Sequence, residues 1–103
     1  MEYILIQRPD FKEIFLTEIK KLEILPSEKL IELYNRQVEV GIVGVYRQAV
    51  YLAALRKQFI DRFNQSPIEL KKDILLTLTN KIKVQNGILK YMNGEILKNV
   101  NNG

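Results

Sequence analysis

The residue types that most often do chemistry in proteins are missing from this chain. Its 103 residues include no cysteine and no histidine. Nucleophile–base pairs of the Ser–His or Cys–His kind therefore cannot be built, and zinc or haem sites lack their usual ligands. The carboxylates Glu28 and Glu32 are four residues apart, but no histidine or further acid joins them in a metal-binding motif. We therefore predict no enzyme activity, no metal site and no cofactor.

The more informative constellation is a pair of glycines and a pair of glutamines in the middle of the chain. Gly41 and Gly44 lie three residues apart in the most apolar window of the sequence. On a helix, two glycines at this spacing let another backbone approach closely, although they can also mark a kink. Gln37 and Gln48 fall near the apolar side of the same segment. A buried amide must be hydrogen-bonded and can fix how two helices are aligned.

One long helix over residues 27–63 is predicted to position these residues. No strong helix breaker occurs in that range, and the apolar pattern continues in phase from both flanks. A strand over Gln37–Tyr46 is the alternative, because the segment is rich in β-branched residues and each glycine costs about 1 kcal/mol in a helix. We favour the helix.

This predicted central helix is amphipathic at both ends but apolar almost all round in its middle. A helix of that kind must be covered on two sides. In so small a domain, the chain's own helices can cover one side and a partner the other. The residues predicted to form the partner interface are Val40, Gly41, Val43, Gly44, Arg47, Gln48, Val50 and Ala54.

The remaining segments complete a single all-α domain, 1–103. Its predicted architecture is a three-helix antiparallel bundle or hairpin with a long central helix and a short extended N-terminal segment. Helices start at capping signals, with Asp10 before the first and Ser66-Pro67 before the third. The predicted elements are an extended segment at 1–7, helices at 10–24, 27–63 and 67–93, and a frayed tail at 95–103.

A second motif lies within the predicted third helix, at residues 75–94. Apolar residues surround a small residue, Thr79, at spacings that resemble the helix-turn-helix of phage repressors. The resemblance implies that the motif would place Lys83, Gln85, Asn86 and Lys90 at DNA. One continuous helix accounts for the same apolar positions and remains open as the alternative. The apolar places of the motif are taken by Leu78, Ile82, Val84, Leu89 and Met92.

Charge and composition bound the function further. The net charge of +4 is uneven, because residues 1–35 are net acidic and the rest is net basic. This asymmetry favours head-to-tail association or an anionic partner. We expect no signal peptide and no membrane span, and hence a cytoplasmic location, or a virion if the chain is of phage or mobile-element origin. The leading hypothesis is a non-enzymatic interaction or assembly module that self-associates, or docks in a larger complex, through its central helix. A small DNA-binding protein is the alternative.

Overall fold

A computed structural model of the chain describes residues 2–4, 8–71 and 75–98. These residues form three α-helices and five β-strands in an α+β fold. The all-α bundle predicted from the sequence is therefore wrong. The elements are β1 (Glu2–Ile4), α1 (Phe11–Glu23), α2 (Ser27–Val40), α3 (Tyr46–Phe63), β2 (Ile68–Lys71), β3 (Leu75–Leu78), β4 (Ile82–Gln85) and β5 (Ile88–Tyr91).

Helix α1 lies within the predicted range 10–24, and it runs beside α3 in the same direction. At the C-terminal end of this pair, the Arg62 guanidinium of α3 donates hydrogen bonds to the carbonyl oxygens of Leu22 (3.1 Å) and Glu23 (3.3 Å). Arg62 thereby adds a donor at the end of α1, where carbonyls lack their usual i+4 partners and Leu22 otherwise accepts from the backbone N–H of Leu25. Helix α2 returns from the end of α1 to the start of α3, so it runs in the opposite direction.

The predicted helix over residues 27–63 is interrupted. Helix α2 ends at Val40, residues 41–45 are irregular, and α3 begins at Tyr46. Gly41 and Gly44 both adopt φ of +80°, a backbone conformation that L side chains avoid and that no right-handed helix contains. The glycine pair therefore ends a helix instead of packing within one. The alternative strand over Gln37–Tyr46 does not form either.

The predicted helix over residues 67–93 is replaced by strands. Strands β2 and β3 pair antiparallel, and β1 adds to the other side of β3 in the order β1-β3-β2. Part of the predicted extended segment 1–7 is thus β1, and the rest of it lies outside the described residues. Ser66 does not cap a helix, because its hydroxyl bonds both the backbone N–H (3.0 Å) and the C=O (3.2 Å) of Ile68.

Strands β4 and β5 form a separate two-stranded hairpin, so the predicted helix-turn-helix over residues 75–94 is wrong as well. The hairpin turns at Asn86-Gly87, where both residues have positive φ. This pair is the preferred sequence of a tight two-residue hairpin turn, whose twist matches that of the strands. Residues of the predicted tail continue the hairpin: Lys90 bridges Ile96, while 99–103 lie outside the described residues.

One core joins the helices to both sheets. Two neighbouring side chains of α2 tie that helix to the segment between β3 and β4. The Tyr34 hydroxyl accepts from the N–H of Thr79 (3.2 Å) and donates to the carbonyl of Asn80 (3.1 Å). The Asn35 amide bonds both the N–H and the C=O of Ile82, each at 2.9 Å. Fully buried core side chains include Leu30, Tyr34, Leu52, Leu55, Phe59, Ile68, Leu76, Ile82 and Leu89.

Candidate interaction surface

The break between α2 and α3 creates an apolar surface segment, residues 40–45, which we call the valine loop. Val40, Val43 and Val45 are 56%, 62% and 53% exposed. Ile42 is half-buried and packs against the core. The loop therefore has one residue that anchors it inward and three valines that face solvent.

The backbone of the valine loop is held by the side chain of Gln48, in the first turn of α3. Its Oε1 accepts a hydrogen bond from the N–H of Val43 (3.0 Å). Its Nε2 donates to the carbonyl of Gly41 (2.9 Å) and to Oε1 of Gln37 in α2 (3.1 Å). The two glutamines singled out in the sequence thus bond to each other across the break. Together they fix the path of the loop. Gln48 is the third residue of α3, and its side chain reaches back to backbone groups before the helix, as the third residue of a capping box does.

The first residue of α3 secures the loop from the other side. The Arg8 guanidinium lies over the ring of Tyr46, 4.2 Å from the ring centroid. The Tyr46 hydroxyl donates to the Asp10 carboxylate (3.3 Å), so Asp10 binds a side chain of α3 and makes no side-chain cap on α1. Partial burial and the Asp10 charge raise the pKa of the Tyr46 hydroxyl. The hydroxyl is therefore protonated at neutral pH and donates the bond.

Charged residues flank the exposed valines along the chain. Arg47 is exposed beside Tyr46, and Glu39 precedes Val40. Glu39 pairs with Lys81 at 2.6 Å, and this hydrogen bond and the lysine charge lower the pKa of the Glu39 carboxyl. The exposed valines thus have charged residues on both sides in the chain, and protein–protein interfaces commonly combine an apolar centre with a polar rim.

The structure separates the predicted interface residues into two groups. The first lies in or directly after the valine loop and comprises Val40, Gly41, Val43, Gly44, Arg47 and Gln48. The second comprises Val50 and Ala54, which are fully buried in the chain's own core. The chain itself therefore covers the two residues, Val50 and Ala54, that the sequence interpretation assigned to a partner. Val45, which the sequence analysis did not single out, completes the exposed cluster.

The residues predicted to contact DNA lie on the β4–β5 hairpin instead of a recognition helix. Lys83 is directly opposite Lys90 in the pairing, and Lys90 Nζ bonds Oε1 of Gln85 at 3.3 Å. Asn86 forms the turn. The hairpin gathers these four side chains, but it lacks the helix that would carry them into a major groove.

Within 2–4, 8–71 and 75–98, no three His, Cys, Asp or Glu side chains come together in a way that would hold a metal ion. A groove of about 480 Å³ beside α2 is lined by charges of both signs, including Glu32, Arg36 and Lys81. None of the helices in these ranges has both the length and the apolar character needed to cross a membrane.

Comparison of the chain with protein-family models, with curated proteins and with solved structures finds no match. Its function is therefore inferred from its own residues.

Proposed function

We propose that this protein is a non-enzymatic protein–protein interaction module that binds a second copy of itself, or a subunit of a larger assembly, through the valine loop. The observation that carries the proposal is the joint exposure of Val40, Val43 and Val45 on one segment whose backbone Gln48 holds in place. Single exposed apolar side chains are common on monomeric proteins. Several on one ordered segment are more typical of a binding surface.

The hydrogen bonds around the loop favour binding as well as folding. A segment that is already ordered loses little conformational freedom when a partner covers it, so more of the burial energy appears as affinity. Gln48 bonds both Val43 and Gly41, and Ile42 anchors the segment to the core. The three valines are therefore presented in a nearly fixed arrangement.

A second copy is the partner to test first. An apolar segment can contact the same segment of another copy across a two-fold axis, which is the commonest form of self-association. The polar rim of Arg47 and of Glu39 with Lys81 would then surround the buried valines. We also keep the cytoplasmic location expected from the sequence as part of the proposal.

The test replaces the most exposed valine with a charge. Val43→Glu places a carboxylate where the proposed contact is dry, and burying an unpaired charge is costly. We expect the wild-type chain to sediment above its monomer mass of 12.1 kDa at about 100 μM, and Val43→Glu to sediment as a monomer. The free energy of unfolding should change by no more than about 0.5 kcal/mol, because the side chain is at the surface.

A matched control makes the same change at the other end of the helices. Ile24 follows α1 and is 80% exposed, yet it is far along α1 from the valine loop. Ile24→Glu should associate like the wild type. Equal association of the wild type and Val43→Glu would contradict the assignment of the loop. A wild-type chain that stays monomeric up to about 1 mM would contradict self-association.

A further inference from the structure

The outer edge of β2 is a second surface that the valine loop does not explain. In the order β1-β3-β2, only one side of β2 is paired among the described strands. Its other side borders a groove of about 450 Å³ whose far wall is formed by residues 95–98. An open strand edge can pair with another strand unless its side chains prevent it.

The hydrogen bonds of Ser66 show which backbone groups face this groove. The Ser66 hydroxyl occupies the N–H and C=O of Ile68, while the preceding carbonyl, of Pro67, accepts from the Thr79 side chain on the β3 side. The N–H and C=O of Ile68 therefore face away from β3. Because these groups alternate in direction along a strand, those of Glu69 face β3 and those of Leu70 face the groove.

The side chains of β2 alternate in the same short stretch. Glu69 and Lys71 are exposed on one face and form a loose ion pair at 3.8 Å, while Leu70 is half-buried on the other. Strand β2 thus carries an acid and a base on either side of an outward-facing backbone residue.

We propose that β2 pairs antiparallel with β2 of a second copy about a two-fold axis through Leu70. In this register the two Leu70 residues exchange both backbone hydrogen bonds. Glu69 of each copy then lies opposite Lys71 of the other, where side chains of directly opposed residues interact. The two three-stranded sheets become one six-stranded sheet, in the order β1-β3-β2-β2-β3-β1.

The charges also select the register. Moving the pair by two residues would place Glu69 opposite Glu69, or Lys71 opposite Lys71, and like charges directly opposed are destabilising. A one-residue shift would turn Leu70 to the charged face. The second copy is therefore the occupant whose charges fit, because the strand is complementary to itself in a single register.

Two single charge reversals and their mixture test this pairing. Glu69→Lys places lysines opposite lysines in a homodimer, and Lys71→Glu places acids opposite acids. Each variant alone should self-associate about tenfold more weakly than its parent at about 50 mM salt, since two favourable cross-strand pairs become repulsive. An equimolar mixture should regain the parental affinity, because both opposed pairs are then of opposite charge.

The mixture excludes a merely structural role. The ion pair within β2 is broken in both variants and stays broken when they are mixed, so restored association reports the contact between copies. All chains carry Val43→Glu in one series and the native valine in another, and analytical ultracentrifugation gives the dissociation constants. Thermal melting of each variant checks that it is folded.

The valine-loop proposal and the β2 proposal are contradicted by different results. If the valine loop has no role, Val43→Glu changes nothing while mixing still restores the charge-dependent association. If the two variants associate no more tightly together than apart, in either series, the pairing of β2 with a second copy is overturned. Binding of an extended peptide from another protein at this edge, without self-association, would overturn it equally.

Discussion

The valine loop and the connection between β3 and β4 are held by the same kind of hydrogen bond, but the first is exposed and the second leads into the core. Both are irregular segments whose backbone is held by polar side chains from a helix. Gln48 holds the valine loop, and Tyr34 with Asn35 holds residues 79–82. The connection between β3 and β4 leads directly into the core at Ile82, which is fully buried. The valine loop, by contrast, directs its three valines to solvent.

This difference distinguishes side-chain hydrogen bonds that stabilise the fold from side-chain hydrogen bonds that we propose prepare a surface for binding. Around Tyr34, burial raises the pKa of the hydroxyl to about 12, and the protonated group can donate to the backbone of the connection. The Tyr34 and Asn35 side chains there tie α2 to backbone that leads into the chain's own core. Around Gln48 the same kind of bond fixes a backbone whose three exposed valines contribute little to folding. We therefore expect changes in the first region to affect stability, and changes in the second to affect association.

The largest effect on stability is expected at Asn35. Asn35→Ala leaves the N–H and C=O of Ile82 without their side-chain partners in a partly buried site. The free energy of unfolding should fall by about 2–3 kcal/mol in a urea titration. The affinity of the folded chain for its partner should not change.

The control for this change is the exposed Asn80, whose replacement by alanine should cost less than about 0.5 kcal/mol. If Asn35→Ala and Asn80→Ala cost the same, the connection is not held as described. If the Asn35→Ala variant were fully folded and yet did not associate, the proposed difference between the two regions would be contradicted.

A smaller effect on stability, but a clear one on association, is expected at Gln48. Gln48→Ala removes the bonds to Val43 and Gly41, which should cost about 1–2 kcal/mol of stability. It should also weaken association by about tenfold, because the loop must then be ordered by the partner. Ultracentrifugation measures this change.

Lys57→Ala on the exposed side of the same helix is the matched variant. Its ion pair with Asp61 is at the surface, so both stability and association should stay close to those of the wild type. Association that is as strong in Gln48→Ala as in Lys57→Ala would show that the fixed path of the loop is irrelevant to binding.

The sequence predicted the N-terminal half of the fold better than the rest. The signals that predict α1 are the residues at its start and its apolar periodicity. Both are local in the sequence, and a helix forms there as predicted. Gly41 and Gly44 were interpreted as packing positions in a continuous helix. The chain instead uses them at positive φ, and α2 and α3 are two separate helices that each bury one apolar face.

The C-terminal half was mispredicted because its apolar spacing suits two structures. Ile82 and Leu89 are seven residues apart, which matches two turns of a helix, yet in the hairpin both are buried from neighbouring strands. The turn sequence Asn86-Gly87 is the feature that distinguishes a hairpin from a helix here. Both residues were placed within a predicted helix, although alternating apolar residues on both sides favour a hairpin.

The same error explains what the sequence could and could not indicate about the candidate surface. The apolar excess around Val43 was noticed, and Gln48 was identified as an amide that needs partners. Val50 and Ala54 were assigned to a partner, whereas the chain buries both of them itself. Which apolar residues a chain covers by itself depends on contacts between distant segments, and local periodicity does not contain them.

The most direct measurement uses the absence of cysteine from the chain. Val43→Cys introduces a single thiol at the centre of the proposed contact, and Ile24→Cys introduces one at the other end of the helices. With a short bis-maleimide at concentrations where the wild type associates, Val43→Cys should give mostly covalent dimer and Ile24→Cys little. Equal yields from the two positions, or no dimer from Val43→Cys, would contradict the account of the valine loop as the interaction surface.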